Sequence, residues 1–210
     1  MKIKVCGMRN IDNIQNLIQE VNPDWMGLIF YSKSSRYVLE DSAESIQKAN
    51  VPKVGVFVNE SIELVLKKVE EFNLSAIQLH GEESAEYVRE LKWISDKKIW
   101  KVISVRETVD WDTLKDYLGL IEYFLFDTAT AQHGGSGKRF NWRVLEEYPF
   151  EEGFILSGGL DEGSASEILE LAEKMPQLIG VDLNSKFEDA PGVKNIEKLK
   201  SFKRKLDHSN

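Results

Sequence analysis

The sequence IEYFLFDTATAQHGGSGKRFNW, residues 121–142, contains the pattern that decides the fold. It begins with an apolar run that is short enough for a β-strand buried on both faces. The run ends at a carboxylate, Asp127, and a charge at the end of a buried strand needs a physical reason. The polar segment that follows, with GGSG at residues 134–137, is too rich in glycine for a helix. Residues 140–142 then indicate the start of the next helix, so the stretch predicts one strand–loop–helix unit.

Seven other apolar runs along the chain are also short and rich in Val, Ile, Leu or aromatic residues. The eight predicted strands are residues 2–6, 25–31, 53–58, 76–80, 99–105, 121–127, 154–157 and 178–183. Segments with the apolar spacing of helices lie between them, and the least distinct are the second, around residues 41–50, and the short fifth, residues 110–118.

Regular alternation of strands and helices, at about 20 to 30 residues per unit, is typical of a (β/α)8 or TIM barrel. We therefore predict an α/β fold in which residues 1–210 form a single barrel domain, with a short polar tail at about 203–210. A doubly wound open sheet is the structural alternative, although it usually has fewer strands.

The composition limits the classes of function. The chain has 35 acidic and 27 basic residues, a net charge of −8, which argues against a nucleic-acid partner. Its single cysteine excludes an intramolecular disulfide. Because neither a signal peptide nor an apolar run long enough to cross a bilayer is recognisable, we expect a cytoplasmic protein without a membrane partner.

Reactive side chains recur where the predicted strands end, which is the end of a barrel that carries active sites. They are Cys6, Arg36, His80, Asp127 and Asp182. Each also has an ordinary interpretation: the thiol as a small buried group, the arginine as a solvated loop charge, the histidine as a partner of a neighbouring strand, and the aspartates as loop caps. Their concentration at one end of the predicted barrel favours an active site.

Two loops at the same end have the composition of a phosphate site. ILSGGL follows the seventh predicted strand, and VDLNSKFE spans the end of the eighth. Barrels commonly bind phosphate at these two loops through backbone N–H groups, although two ordinary turns remain the alternative. The glycine run at residues 134–137 is not a Walker motif, because no Lys-Ser or Lys-Thr pair follows it.

With KVCGMR, FYSKSSRYV, GVFVN, IQLHGEE, FLFDTATAQHGGSGKRFNW, ILSGGL and VDLNSKFEDAPGVK in this order, the chain closely resembles the phosphoribosylanthranilate isomerases, barrel enzymes of tryptophan biosynthesis. The resemblance covers nearly the whole length. It implies an isomerase that converts N-(5-phosphoribosyl)anthranilate into 1-(2-carboxyphenylamino)-1-deoxyribulose 5-phosphate by an Amadori rearrangement, without a cofactor or metal. The expected partner is this small phosphorylated substrate, and the chain could act as a monomer or homodimer.

The resemblance also implies roles for individual residues. Cys6 would be the general base, Asp127 the general acid, and Arg36 the ligand of the substrate carboxylate. His80 and Asp182 would line the same site. The implied phosphate ligands are Gly158, Gly159, Asn184 and Ser185.

An acid–base mechanism requires Cys6 to lose a proton easily and Asp127 to hold one. A free thiol has a pKa of about 8.5, so we expect cationic groups of the site to lower the pKa of Cys6, and burial to favour the protonated carboxyl of Asp127. The loop at residues 128–138 is the expected lid.

The chain departs from the family pattern at Arg9, where Thr is common, at RFNW, where FDW is usual, and at Lys186, where Gly is frequent. The last difference leaves the exact phosphate ligands open. Two other functions remain possible: a related barrel isomerase acting on a histidine-pathway aminoaldose, which would be expected to use paired aspartates, and a barrel that binds a phosphorylated metabolite without catalysis.

Overall fold

A computed structural model describes residues 1–128 and 139–207 of the chain. Eight strands form a closed barrel in chain order. They are β1 (Lys2–Cys6), β2 (Trp25–Ile29), β3 (Lys53–Phe57), β4 (Ala76–Leu79), β5 (Lys98–Val105), β6 (Tyr123–Thr128), β7 (Phe154–Leu156) and β8 (Leu178–Leu183). All neighbouring strands run parallel, and β1 pairs with β8 with Lys4 opposite Asp182. The predicted (β/α)8 barrel is confirmed, and the open sheet is wrong. Predicted strand ends differ from these bounds by no more than two residues, as is usual for element boundaries.

Helices and short 3₁₀ segments connect the strands on the outside of the barrel. The α-helices are α1 (Ile11–Glu20), α2 (Ala43–Gln47), α3 (Ile62–Phe72), α4 (Ala85–Ile94), α5 (Ala165–Lys174) and α6 (Ile196–Asp207). The 3₁₀ segments are Glu40–Ser42, Trp111–Tyr117, Trp142–Glu147 and Ser185–Phe187. A short antiparallel hairpin, β9 (Glu188–Ala190) and β10 (Val193–Lys194), follows β8.

The connections after β5 and β6 are 3₁₀ segments where the apolar spacing predicts helices. Each begins with a side-chain cap: Asp110 accepts a hydrogen bond from the N–H of Asp112, and Asn141 accepts one from that of Arg143. The first segment is seven residues long and the second six, so both are long for 3₁₀ helices, which usually occur in shorter pieces. The spacing therefore identified the buried face correctly but not the type of helix.

The charged carboxyl-terminal stretch is mostly helical. Helix α6 continues to Asp207, and its Phe202 and Leu206 are buried. The ring of Phe202 packs 5.1 Å, centroid to centroid, from that of Phe187. The predicted polar tail is therefore wrong for residues 203–207, because this apolar face holds them against the barrel.

Aromatic side chains close the amino-terminal end of the barrel interior. Trp25, Trp100 and Tyr123 form mutual edge-to-face contacts, with ring centroids 5.0 to 6.1 Å apart. Above them lie small and branched apolar residues of the inner cluster, including Val54, Ala76 and Leu125. This packing leaves the carboxyl-terminal end as the part of the interior that carries polar groups. None of the helices formed by the described residues is long and apolar enough to span a membrane.

Candidate active site

The carboxyl ends of four strands bring four of the predicted site residues together. Cys6 is the last residue of β1, Asp127 lies near the end of β6, Asp182 lies near the end of β8, and His80 directly follows β4. His80 Nε2 lies 3.4 Å from Asp127 Oδ2. The charges of Asp127 and His80 both act on the carboxyl of Asp182, so these groups share one electrostatic environment.

A buried ion pair forms the floor of this site. Lys4 Nζ donates a hydrogen bond of 2.8 Å to Asp182 Oδ2, and the two residues are 0% and 6% exposed. Burial raises the pKa of Asp182, while the charge of Lys4 acts in the opposite direction. The second carboxylate oxygen, Oδ1, is buried and has no hydrogen-bond partner among the described residues. A buried acceptor without a donor is costly, so Asp182 offers one strong acceptor to a bound molecule.

The thiol of Cys6 is in the same buried environment. Cys6 is 4% exposed, and burial raises its pKa above the ordinary value, although the positive charge of Lys4 lowers it. The negative charge of Asp182 adds to the increase, and that of Lys194 opposes it. The expected lowering of the Cys6 pKa is therefore wrong in this structure, because desolvation outweighs the cations and Asp182 offsets part of the effect of Lys4.

This balance gives a testable titration. In the folded chain, the ultraviolet absorbance of the thiolate should develop at a pH above the ordinary range for cysteine, because burial disfavours the charged form. Lys4→Met should move the titration to still higher pH, since it removes the largest opposing charge. The chain has one cysteine, so the difference from Cys6→Ala isolates this thiol.

Lys53→Met is the matched control for this titration. Lys53 is 4% exposed, and its Nζ bonds the carbonyl of Ala49. The Lys53→Met substitution should leave the Cys6 titration unchanged. A wild-type titration below the ordinary range, or one that Lys4→Met does not move, contradicts the electrostatic description of the site.

Asp127 lies directly beside the glycine loop that follows β7. Its Oδ1 accepts a hydrogen bond of 2.7 Å from the N–H of Thr128. Gly158 and Gly159 have φ values of +86° and +70°, which favour glycine. A Cβ on Gly158 would lie 2.7 Å from Asp127 Oδ1, so only glycine permits this approach. The loop predicted to bind phosphate therefore adjoins the predicted acid.

Arg36 already holds a carboxylate of the chain itself. Its Nε lies 2.9 Å from Glu188 Oε1, and its Nη2 lies 2.6 Å from Glu188 Oε2, which makes a bidentate pair. Hydrogen bonding to Glu188 raises the pKa of Arg36. The arginine therefore lies near the strand ends with a fixed orientation rather than as a solvated loop charge.

The second predicted phosphate loop follows β8. Asn184 Oδ1 accepts a hydrogen bond of 2.7 Å from Lys194 Nζ, and Ser185 starts a 3₁₀ segment. Lys186 is exposed. Among the described residues other than glycine, only Asn22, Asn59 and Asn73 have positive φ, so Lys186 does not adopt a backbone conformation that requires glycine. The lysine that replaces the family glycine is thus accommodated without backbone strain.

Some residues of the site were not predicted from the sequence. Lys4 could have been found, because it precedes Cys6 by two positions in the same strand and so points to the same side. Glu188 and Lys194 lie within the motif VDLNSKFEDAPGVK, but nothing in it indicates their partners. The predicted lid lies outside the described residues except for Thr128. Within those residues, no group of three or more His, Cys, Asp or Glu side chains is arranged to hold a metal ion.

A closed parallel barrel with a thiol, carboxylates and a glycine-rich loop at the strand ends defines the class of (β/α)8-barrel proteins. A family model described as N-(5'phosphoribosyl)anthranilate (PRA) isomerase matches residues 3–205. The chain belongs to this family.

Individual relatives agree with the family assignment. An N-(5'-phosphoribosyl)anthranilate isomerase of Phocaeicola vulgatus is 44% identical over 206 residues, which cover 98% of each chain. The crystal structure of phosphoribosyl anthranilate isomerase from Thermus thermophilus is similar over 100% of both chains, with a TM-score of 0.87 and 27% identity. A further solved isomerase, in complex with reduced 1-(o-carboxyphenylamino)-1-deoxyribulose 5-phosphate, has a TM-score of 0.79 and 27% identity over 99% of this chain and 98% of its own.

Proposed function

We propose that this chain catalyses the Amadori rearrangement of N-(5'-phosphoribosyl)anthranilate to 1-(2-carboxyphenylamino)-1-deoxyribulose 5-phosphate in tryptophan biosynthesis. The observation that carries the proposal is the family match over residues 3–205, which includes both Cys6 and Asp127. A solved relative binds a reduced form of the expected product, and this supports the same substrate class. The reaction would take place in the cytoplasm, with the chain as a monomer or homodimer.

In this mechanism Asp127 is the general acid and Cys6 the general base. Asp127 donates a proton to the furanose oxygen, which opens the ring and leaves a Schiff base between C1′ and the anthranilate nitrogen. Cys6 then removes the proton from C2′ to give an enolamine, which becomes the ketose product. The two residues belong to β1 and β6, which β7 and β8 separate on one side of the barrel, so they can act on different parts of one sugar.

The raised pKa of Cys6 has two opposite consequences for the base step. Only a small fraction of the free enzyme carries the thiolate at neutral pH, but that thiolate is a stronger base than one with an ordinary pKa. The ammonium of Lys4 favours the thiolate electrostatically. The limb of the kcat/KM pH profile that belongs to Cys6 should therefore lie at higher pH than the ordinary range for a thiol.

The ends of the substrate would be held by separate groups. Arg36 would bind the anthranilate carboxylate, and His80 and Asp182 would contact the sugar between the ends. Backbone N–H groups of the loops that follow β7 and β8 would bind the phosphate. The proposed residues are Gly158, Gly159, Asn184 and Ser185. Fixing both ends against an acid and a base supplies the orientation that an intramolecular rearrangement needs.

Complementation of two bacterial auxotrophs tests the proposal. The gene should restore growth without tryptophan to a strain that lacks this isomerase, and the Cys6→Ala gene, expressed to the same level, should not. Growth of only a histidine auxotroph that lacks the related aminoaldose isomerase would overturn the substrate assignment. Growth of neither strain, with soluble chain present, would indicate the non-catalytic barrel.

A further inference from the structure

The loop after β8 contains a charged network that adjoins Arg36. We call Arg36, Glu188, Lys194 and Asn184 the Glu188 cluster. In addition to the two bonds from Arg36, Glu188 Oε1 accepts a hydrogen bond of 2.5 Å from Lys194 Nζ and one of 3.1 Å from the N–H of Gly192. The side chains of Lys194 and Glu188 are 0% and 5% exposed. Such buried pairing fixes both groups in place.

The position of Glu188 determines which side of Arg36 can meet a ligand. A guanidinium has five N–H groups arranged on different sides. Glu188 takes the side formed by Nε and Nη2. A substrate carboxylate would therefore approach the side at Nη1, which the bidentate pair holds in a fixed direction.

Glu188 also has an electrostatic cost that Lys194 offsets. A single carboxylate paired with Arg36 would cancel its positive charge and weaken the attraction for a substrate anion. With Lys194 as a second cation on the same carboxylate, the cluster keeps one net positive charge. Burial lowers the pKa of Lys194 to about 8, although Glu188 raises it, so the ammonium form still predominates at neutral pH.

Lys194 reaches the phosphate loop through Asn184. Its Nζ donates to Asn184 Oδ1 at 2.7 Å. A Cβ on Gly7 would lie 2.7 Å from Arg36 Cδ and 2.9 Å from Asn184 Oδ1, so the arginine and the asparagine meet beside the residue that follows Cys6. The backbone of Lys194 is itself held by Asn13, which bonds both its N–H and its carbonyl, at 2.7 and 2.9 Å.

We propose that Lys194 is a positioning residue for substrate binding: it offsets Glu188 so that Arg36 keeps its charge for the substrate carboxylate, and it orients Asn184 at the phosphate end. This inference rests on the proposed function. It assigns Lys194 no contact with the furanose oxygen or with C2′, where the proposed proton transfers take place. It follows that loss of Lys194 weakens binding at both ends of the substrate, and most strongly for a substrate that carries the carboxylate.

The test compares two substrates on the same protein preparation: N-(5'-phosphoribosyl)anthranilate and the corresponding aniline compound, which lacks the carboxylate. Lys194→Met should raise KM for both compounds, by about 10- to 100-fold for the first. Because the charge of Lys194 also favours the Cys6 thiolate, any loss of kcat should be the same for both compounds. The variant should also reduce the preference for the carboxylate compound. This preference, the ratio of the two kcat/KM values, does not depend on the fraction of folded protein.

A second variant separates charge from simple damage to the fold. The double variant Lys194→Met/Glu188→Gln removes the uncompensated carboxylate, so it should recover most of the preference for the carboxylate compound that Lys194→Met loses. It also keeps the test usable if Lys194→Met does not fold. The matched control is Lys68→Met, which removes a lysine that is 2% exposed and bonded to Glu40 and Glu71 on the outside of the barrel. The control should keep the wild-type preference.

Three outcomes would overturn the inference. The first is an unchanged preference in Lys194→Met, and the second is a double variant that loses as much preference as Lys194→Met. The third is a wild type that turns over neither compound, which would overturn the proposed function as well. Wild-type turnover together with either of the first two outcomes leaves the proposed function standing and removes only the role of Lys194.

Discussion

Cys6→Ala is expected to lower kcat by about 10²- to 10⁴-fold, because it removes the proposed base that takes the proton from C2′. KM should change little, since the thiol is not assigned to either end of the substrate. The measurement is steady-state turnover of N-(5'-phosphoribosyl)anthranilate, with folding checked by circular dichroism. The pH dependence attributed to the thiol should disappear from any residual activity.

Val5→Ala is the matched control for this variant. Val5 is adjacent in β1 and 0% exposed, but it belongs to the outer core cluster rather than to the strand-end site. Its truncation leaves a cavity of its own and should leave kcat near the wild-type value. If Cys6→Ala is folded and retains wild-type kcat, the base is a different group, although the isomerase function itself would stand.

Asp127→Asn is the second variant with a large expected effect, again about 10²- to 10⁴-fold in kcat. The amide has nearly the shape of the carboxyl and can still accept the hydrogen bond from Thr128, but it cannot serve as the acid that protonates the furanose oxygen. Steady-state kinetics on the same substrate provide the measurement. A primary isotope effect at C2′ should become smaller if ring opening becomes rate-limiting.

Asp24→Asn is a suitable comparison for the aspartate variant. Asp24 also accepts a backbone hydrogen bond, 2.8 Å from the N–H of Ile3, but it lies at the amino-terminal end of the barrel. The activity of the Asp24→Asn variant should stay near that of the wild type. Full activity in Asp127→Asn, combined with a large loss in His80→Asn, would instead assign the acid to His80, whose Nε2 is 3.4 Å from Asp127.

The sequence was sufficient to predict the barrel because each strand is a short apolar run that ends in a distinctive residue. The carboxylate at Asp127 and the thiol at Cys6 mark the ends of two such runs. Closure of the sheet then brings distant strand ends to one rim, so the site follows from the fold. The type of helix was less predictable: the 3₁₀ segment Trp111–Tyr117 buries Leu114 as a short α-helix would, and apolar spacing does not distinguish the two.

The electrostatics of the site could not be predicted from the sequence. The direction of the Cys6 pKa depends on burial and on the pairing of Lys4 with Asp182, residues that lie 178 positions apart. Arg36 and Glu188 are separated by 152 positions. A motif identifies the residue types in such a pair, but only the folded chain shows which charges offset each other.

Turnover by the purified wild-type chain tests the central claim most directly. Freshly generated N-(5'-phosphoribosyl)anthranilate is mixed with the enzyme, and loss of substrate fluorescence is followed beside the folded double variant Cys6→Ala/Asp127→Asn. We predict that the wild type consumes the substrate at a rate proportional to enzyme concentration, and that the double variant leaves it near the uncatalysed rate. A folded wild-type chain that does not exceed the uncatalysed rate would contradict the account.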